Sequence, residues 1–169
     1  MIFGSSASLV SASSTFTLTT TGASRTVDVN ANSFHNLTLS GSGSWNMTDT
    51  TLTVKGSYAQ SNGSVVFPTA TTTIGSAFNA TGGSFSVNGS PIVFIGSGAG
   101  NTVRFNGSSV ANLFFNGTGS FNMTDTNATA TGQVIINSGT VSLPSGNFAV
   151  GSNFMNVGGA VTHNTSDLI

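Results

Sequence analysis

Charged residues are the scarcest feature of this 169-residue sequence, making up 4% of it against roughly 25% in typical soluble domains. Glutamate is absent, and the three basic and four acidic residues are Arg25, Lys55, Arg104, Asp28, Asp49, Asp125 and Asp167. Soluble helices cover their wet faces with Glu, Lys and Arg, whereas Ser, Thr, Asn and Gly fill the polar positions here and favour strands and turns. The composition therefore predicts an all-β protein.

Other absences narrow the function. A net charge of −1 with three basic residues predicts no nucleic-acid partner, because that affinity depends on Lys and Arg. The longest apolar run, residues 92–95, is too short for a membrane-spanning helix, so we expect no membrane insertion. There is no cysteine for a disulfide or a thiolate site, and we expect no cofactor. The 37% of apolar residues, thirteen of them Phe, suffice for a core and argue against disorder.

A long repeat runs through the chain without a gap. Residues 36–50 read NLTLSGSGSWNMTDT, and residues 112–126 read NLFFNGTGSFNMTDT. The repeat divides the chain into a partial copy (1–15), a first copy (16–91) and a second copy (92–167). Because both copies follow one pattern, residues 1–169 are predicted to form a single continuous domain.

A shorter repeat of about 20 residues, a length typical of solenoids, lies within each copy, since residues 51–70 align with residues 71–90. Alternating apolar residues separated by Gly and Asn are typical of short strands joined by tight corners. The pattern predicts a parallel β-helix (β-solenoid) with coils of about 19–20 residues, four of which would make up one 76-residue copy. The predicted core ladder consists of Val54, Ile74, Val65, Phe85, Phe67, Val87, Phe121 and Val141. A chain of small β-sandwiches, one per copy, is the alternative fold, although a nested repeat is not typical of it.

Few residues qualify as candidates for catalysis or metal binding. Asp49 and Asp125 occupy equivalent positions and could be calcium ligands or paired catalytic carboxylates. Four coils would separate them by roughly 19 Å, more than the about 5–9.5 Å of glycosidase pairs, so we expect both to cap turns.

His35 and His163 are not equivalent, and we expect both at the surface. The aromatic positions Trp45 (Phe121 in the second copy) and Tyr58 (Val134) are predicted to fill the core. We therefore predict no catalytic, metal-binding or cofactor-binding residue, and a protein that is not an enzyme.

Asparagine followed by x-Ser/Thr is unusually frequent. Ten of the eighteen Asn residues lie in this motif: Asn36, Asn46, Asn62, Asn79, Asn88, Asn106, Asn116, Asn122, Asn127 and Asn164. In a host with N-linked glycosylation these are possible modification sites, and glycans could replace the missing charge as a solubilising layer. In other hosts the same residues would be turn formers.

One extended pattern suggests a family. It reads Phe34-x-Asn36-Leu37-Thr38-Leu39, a Gly-Ser stretch, Ser44-Trp45-x-Met47, then Leu52-Thr53-Val54-x-Gly56. It resembles the repeats of large bacterial surface proteins of the filamentous-haemagglutinin and autotransporter-passenger type. The resemblance implies an extracellular stalk, adhesin or fibre at the cell surface.

These observations together lead us to expect an extracellular structural rod. The sequence begins and stops mid-repeat without a polar cap, which predicts either a segment of a longer array or a subunit that stacks end to end with copies of itself. Surface glycans are further possible partners. The alternative is a carbohydrate-binding or polysaccharide-degrading β-helix module, similar to those of phage fibres.

Overall fold

The structure is a computed structural model that describes residues 13–169. Of the partial repeat copy at residues 1–15, residues 1–12 lie outside this range. The described residues form 21 short strands and no helix, and neighbouring strands pair in parallel throughout, as in Leu37 opposite Tyr58 and Val54 opposite Ile74. The predicted all-β parallel solenoid is confirmed.

The coils have three faces, which the chain visits in a fixed order. Face one consists of β1 (Thr15–Leu18), β3 (Asn36–Leu39), β6 (Tyr58–Gln60), β9 (Phe78–Ala80), β12 (Asn101–Arg104), β14 (Ser120–Met123), β17 (Thr140–Ser142) and β20 (Ala160–Thr162). Face two consists of β2 (Arg25–Val27), β4 (Ser44–Met47), β7 (Ser64–Val66) and β10 (Ser84–Ser86), followed by a separate sheet of β15 (Ala128–Ala130), β18 (Asn147–Val150) and β21 (Asp167–Leu168). Face three consists of β5 (Thr51–Val54), β8 (Thr71–Ile74), β11 (Pro91–Phe94), β13 (Asn112–Phe115), β16 (Val134–Ile136) and β19 (Phe154–Asn156). Faces one and three are unbroken sheets, and face two is in two parts.

Coil length follows from which residues meet across neighbouring coils. Val29 and Asp49, which share a hydrogen bond between two coils, are separated by 20 positions, and Asn36 and Ser57 by 21. One coil is longer, because the loop at residues 95–100 precedes β12: Val103 lies opposite Phe78. Coils of about 20 residues, as in other solenoids, are therefore confirmed.

The expectation of four coils per repeat copy is wrong. The first copy spans the ten strands β1 to β10 and a single-residue bridge at Phe34, which occupies face three opposite Val54. These eleven positions, at three per coil, make three and two-thirds coils. Equivalent strands of the two copies consequently lie on different faces: β3 belongs to face one, and its equivalent β13 belongs to face three.

The interior is filled by alternate side chains of strands β2 to β18, each of which has at least one buried residue. The burial pattern of β13 shows this alternation, with Leu113 and Phe115 buried and Asn112 and Phe114 partly exposed. Aromatic rings stack from coil to coil: the Tyr58 and Phe78 ring centroids are 4.6 Å apart. The eight residues of the predicted ladder are all buried, with Val54 opposite Ile74, Val65 opposite Phe85, Phe121 opposite Val141, and Phe67 and Val87 in successive coils.

Glycine is required at two corners of the solenoid. At the corner between faces three and one, a Cβ on Gly119 would lie 2.2 Å from the carbonyl oxygen of Gly98. At the corner between faces one and two, a Cβ on Gly63 would lie 2.4 Å from the carbonyl oxygen of Gly43. Gly63 also has a φ of 69°, which side chains disfavour. Successive coils approach too closely at Gly119 and at Gly63 for a side chain at either position.

Candidate functional site

The two equivalent aspartates connect neighbouring coils. Asp49 Oδ2 accepts a hydrogen bond from the Val29 amide at 2.7 Å, and its Oδ1 accepts one from the Ala31 amide at 2.9 Å. Asp125 accepts from the Phe105 amide at 2.5 Å and from the Asn106 amide at 3.0 Å. Each carboxylate thus caps a loop of the preceding coil, not a turn adjacent in sequence.

The capped loops have an unusual backbone. Asn30 and Ala31 have φ values of 51° and 60°, and Asn106 and Gly107 have 52° and 76°. A non-glycine residue in this left-handed region is disfavoured. The hydrogen bonds that each aspartate accepts from the backbone amides help to hold its loop in this conformation. Both oxygens of each carboxylate are engaged by backbone amides, which gives the pair a structural role. They also follow strands on different faces, β4 and β14, and so do not lie in one column.

The remaining candidates are dispersed. His35 is partly buried and His163 is exposed. Within residues 13–169, no group of three or more His, Cys, Asp or Glu side chains is placed to hold a metal ion. Trp45, Phe121 and Tyr58 are buried, as is Val134.

A polar pair lies inside the core. The Tyr58 hydroxyl donates to Gln60 Oε1 at 2.7 Å, and Gln60 Nε2 donates to the Ser84 carbonyl of the next coil at 2.9 Å. Both side chains are buried, and burial raises the pKa of the Tyr58 hydroxyl well above its usual value. In the second copy Val134 and Ile136 occupy these positions, so the polar pair is particular to the first copy.

A groove of about 400 Å³ lies where face two is interrupted. It forms because the sheet ending at β10 is not continued by the next coil, and face two resumes only at the bridge between Val110 and Ala130. Its polar lining comes from Ser86, Asn88, Ser109 and Thr131. The volume lies within the roughly 300–1,000 Å³ of small-molecule sites. The only trace of this groove in the sequence is the longer loops at the start of the second copy.

The asparagines of the x-Ser/Thr motif are at the surface. Seven are exposed: Asn46, Asn62, Asn88, Asn116, Asn122, Asn127 and Asn164. Asn36, Asn79 and Asn106 are partly buried. Several are also hydrogen-bonded to the backbone of a neighbouring coil: Asn36 Oδ1 accepts from the Ser57 amide at 2.8 Å, and Asn164 Nδ2 donates to the Leu143 carbonyl at 3.0 Å. Modification of an exposed member would leave the core intact.

A column of apolar side chains on the outside of face three was missed in the sequence. Val93 lies opposite Phe114, Phe114 opposite Ile135, and Ile135 opposite Met155. Each belongs to a strand whose alternate side chains point inward, so the column faces outward. We refer to these four residues as the apolar column. Comparison of the two repeat copies position by position would have revealed it.

The fold and these sites define a three-sided parallel β-solenoid protein. Comparison with protein families, with curated protein sequences and with solved structures finds no match for this chain. Residues 13–169 include no helix that is long and apolar enough to cross a membrane.

Proposed function

We propose that the protein is an extracellular structural rod, a stalk or fibre segment that separates or links other parts of a cell surface and performs no catalysis. The observation that carries the proposal is the continuity of faces one and three, whose eight and six parallel strands cross from one repeat copy to the next. A ladder of this kind has no hinge between the copies.

Energetics favour a long assembly over a short one. A coil of about 20 residues loses about 1–2 kcal/mol per residue in backbone entropy, and burying each of its few large apolar side chains returns about 1.5–3 kcal/mol. One coil alone is therefore unstable, and stability comes from neighbours above and below. Adjacent repeats, or further copies stacked end to end, would extend the same ladder.

The extracellular location is supported by the sequence and by exposure. The chain combines no cysteine and few charges with Asn-x-Ser/Thr motifs whose Asn side chains are largely exposed. Its repeats resemble those of large bacterial surface proteins.

Proteomics of surface and cytosolic fractions of the native cells tests the location, with chain peptides expected in the surface fraction. Recovery from the cytosol alone would refute it. Mass spectrometry of the same peptides tests glycosylation, which unmodified Asn throughout would exclude.

Small-angle X-ray scattering of the purified chain tests the rod. Eight coils at about 4.8 Å per coil predict a particle about 35–40 Å long with a constant cross-section. Two separate globular bodies would contradict the proposal.

The groove at the interruption of face two favours carbohydrate binding as a second candidate function. Its hydroxyl and amide groups beside apolar Val87 and Ala111 are the combination that sugar rings require. A glycan array probed with the chain and with Asn88→Ala would test it, since binding lost in the variant supports this role. Binding that is absent or unchanged argues against it.

A further inference from the structure

The outward columns of the two repeat copies differ in chemistry at matching positions. On face three the apolar column reads Val93, Phe114, Ile135 and Met155; its equivalents on face one are Thr17, Thr38, Ala59 and Asn79. Both columns occupy the same position on the same type of strand. Four polar or small residues of the first copy thus correspond to four large apolar residues of the second copy. Packing of the core does not require this change, because all four positions face outward.

The apolar column continues into neighbouring exposed apolar residues. Ile95 and Val157, just after β11 and β19, are 49% and 64% exposed, and Met155 is 45% exposed. These are three of the six large hydrophobic residues that are exposed within residues 13–169. The exposed Val66 of face two, in contrast, lies between the polar Asn46 and Ser86.

The four strands of the apolar column carry no charge, since β11, β13, β16 and β19 contain no Asp, Glu, Lys or Arg. The exposed Lys55 follows β5 on the same face, two coils before the coil of Val93. On one side the column is bordered by Asn116 and Asn137, whose side chains are joined by a hydrogen bond of 2.7 Å. Two apolar columns could therefore meet without bringing like charges together.

We propose that face three binds the same face of a second copy, so that two rods lie side by side with their apolar columns in contact. A flat parallel sheet is best matched by another sheet with the same spacing of about 4.7–4.9 Å between strands. Side chains of the two columns can then interdigitate rung by rung, as they do between the paired sheets of stacked β-structures. This inference rests on the proposed rod and adds a lateral partner to it.

The size of the face determines how strong the pairing is. Six strands at about 4.8 Å, each about four residues long, give a flat face of roughly 300–400 Å². Two copies would bury less than the about 1,200 Å² at which stable complexes begin. Pairing of chains of this length is therefore weak and concentration-dependent, and it strengthens with the number of apolar rungs.

The first test replaces the apolar column by the residues of the first copy, in the variant Val93→Thr, Phe114→Thr, Ile135→Ala and Met155→Asn. Sedimentation equilibrium over a wide concentration range is expected to show wild-type dimers and a dissociation constant at least about tenfold higher for the variant. Circular dichroism should show that the variant keeps its β-structure. Equal association of both proteins, or none by the wild type, would overturn the proposal.

The second test locates the contact. Because the chain has no cysteine, Gln133→Cys places a single thiol beside the apolar column, and Ser57→Cys places one at the equivalent position on face one. Both residues donate their amides to an equivalent Asn side chain, Asn112 or Asn36, so the variants are matched. A short bismaleimide should cross-link the Gln133→Cys protein at least about tenfold faster. Equal rates would refute side-by-side pairing and indicate contact elsewhere, while the scattering profile would still test the rod independently.

Discussion

Thr38 and Phe114 occupy the same position of the 76-residue repeat, yet Thr38 points outward from face one and Phe114 points outward from face three. The reason is that eleven strand positions do not divide evenly among three faces. Each copy starts one face away from the last, and in an array a fourth copy would return to the face of the first. Which side chains are exposed on each face of the rod therefore depends on the face at which each copy starts, as well as on the sequence of that copy.

The glycine corner between faces three and one provides a prediction about backbone packing. Gly119→Ala should lower the free energy of unfolding by about 1–3 kcal/mol, because its Cβ would meet the Gly98 carbonyl oxygen at 2.2 Å. Gly98→Ala is the matched control at the same corner, since its nearest neighbour would be 3.8 Å away, and should change stability by less than about 0.5 kcal/mol. Urea denaturation followed by circular dichroism measures both. Equal effects would contradict the close approach.

The aspartate caps provide a prediction about the contacts between coils. Asp125→Asn should destabilise the protein by about 1.5–3 kcal/mol. The two carboxylate oxygens of Asp125 accept hydrogen bonds from the backbone N–H groups of Phe105 and Asn106, whereas the asparagine side chain has a single acceptor oxygen. Asp49→Asn should have a similar effect. Asp167→Asn, at an exposed position, is the control. Thermal unfolding distinguishes the three, and equal melting temperatures for all would exclude a structural role for the caps.

The sequence predicted the parts of the fold that repeat every coil. Val54 and Ile74 are apolar and occupy matching positions of the shorter repeat, and they lie opposite each other because side chains at that spacing stack in a solenoid. The number of faces was not predictable in this way. A corner can be made by Gly, Asn or Pro, so the spacing of the shorter repeat does not reveal how many corners a coil contains. The longer loops, such as residues 95–100, make the number of corners in a coil still harder to infer from the sequence.

The sites were less predictable than the core. The role of Asp49 depends on backbone amides of the preceding coil, and only the registration of the two coils brings Val29 and Ala31 to it. The apolar column was visible as a difference between copies, for example Thr38 against Phe114. A search for identities emphasises what the copies share and passes over such positions.

A buried hydroxyl in face three provides a stabilising substitution. Thr72 points inward between Leu52 and Ile92, is fully buried, and its Oγ1 has no hydrogen-bond partner. Thr72→Val keeps the branched shape and removes an unsatisfied group, so it should raise the free energy of unfolding by about 1 kcal/mol. Thr73→Val, on the outward side of the same strand, should have little effect. Destabilisation by Thr72→Val in urea denaturation would mean that the hydroxyl is bonded.

The buried tyrosine makes stability dependent on alkaline pH. Burial raises the pKa of the Tyr58 hydroxyl, so the folded protein holds this proton more tightly than the unfolded chain, in which tyrosine titrates near about 10. The resulting stability is fully present below that pH and is lost as the pH rises towards the folded-state pKa. Tyr58→Phe should remove this dependence while costing about 1 kcal/mol at neutral pH, because Gln60 loses its donor.

Tyrosinate absorbance measures the effect directly, because Tyr58 is the only tyrosine of the chain. We expect absorbance to rise together with the loss of β-structure, as ionisation requires the core around Phe78 to open. The unfolding midpoint of the wild type should fall steeply above about pH 10, and that of Tyr58→Phe should fall less. Ionisation near pH 10 with an unchanged circular dichroism spectrum would show that the hydroxyl is accessible to solvent. That result would contradict a buried hydrogen bond between Tyr58 and Gln60.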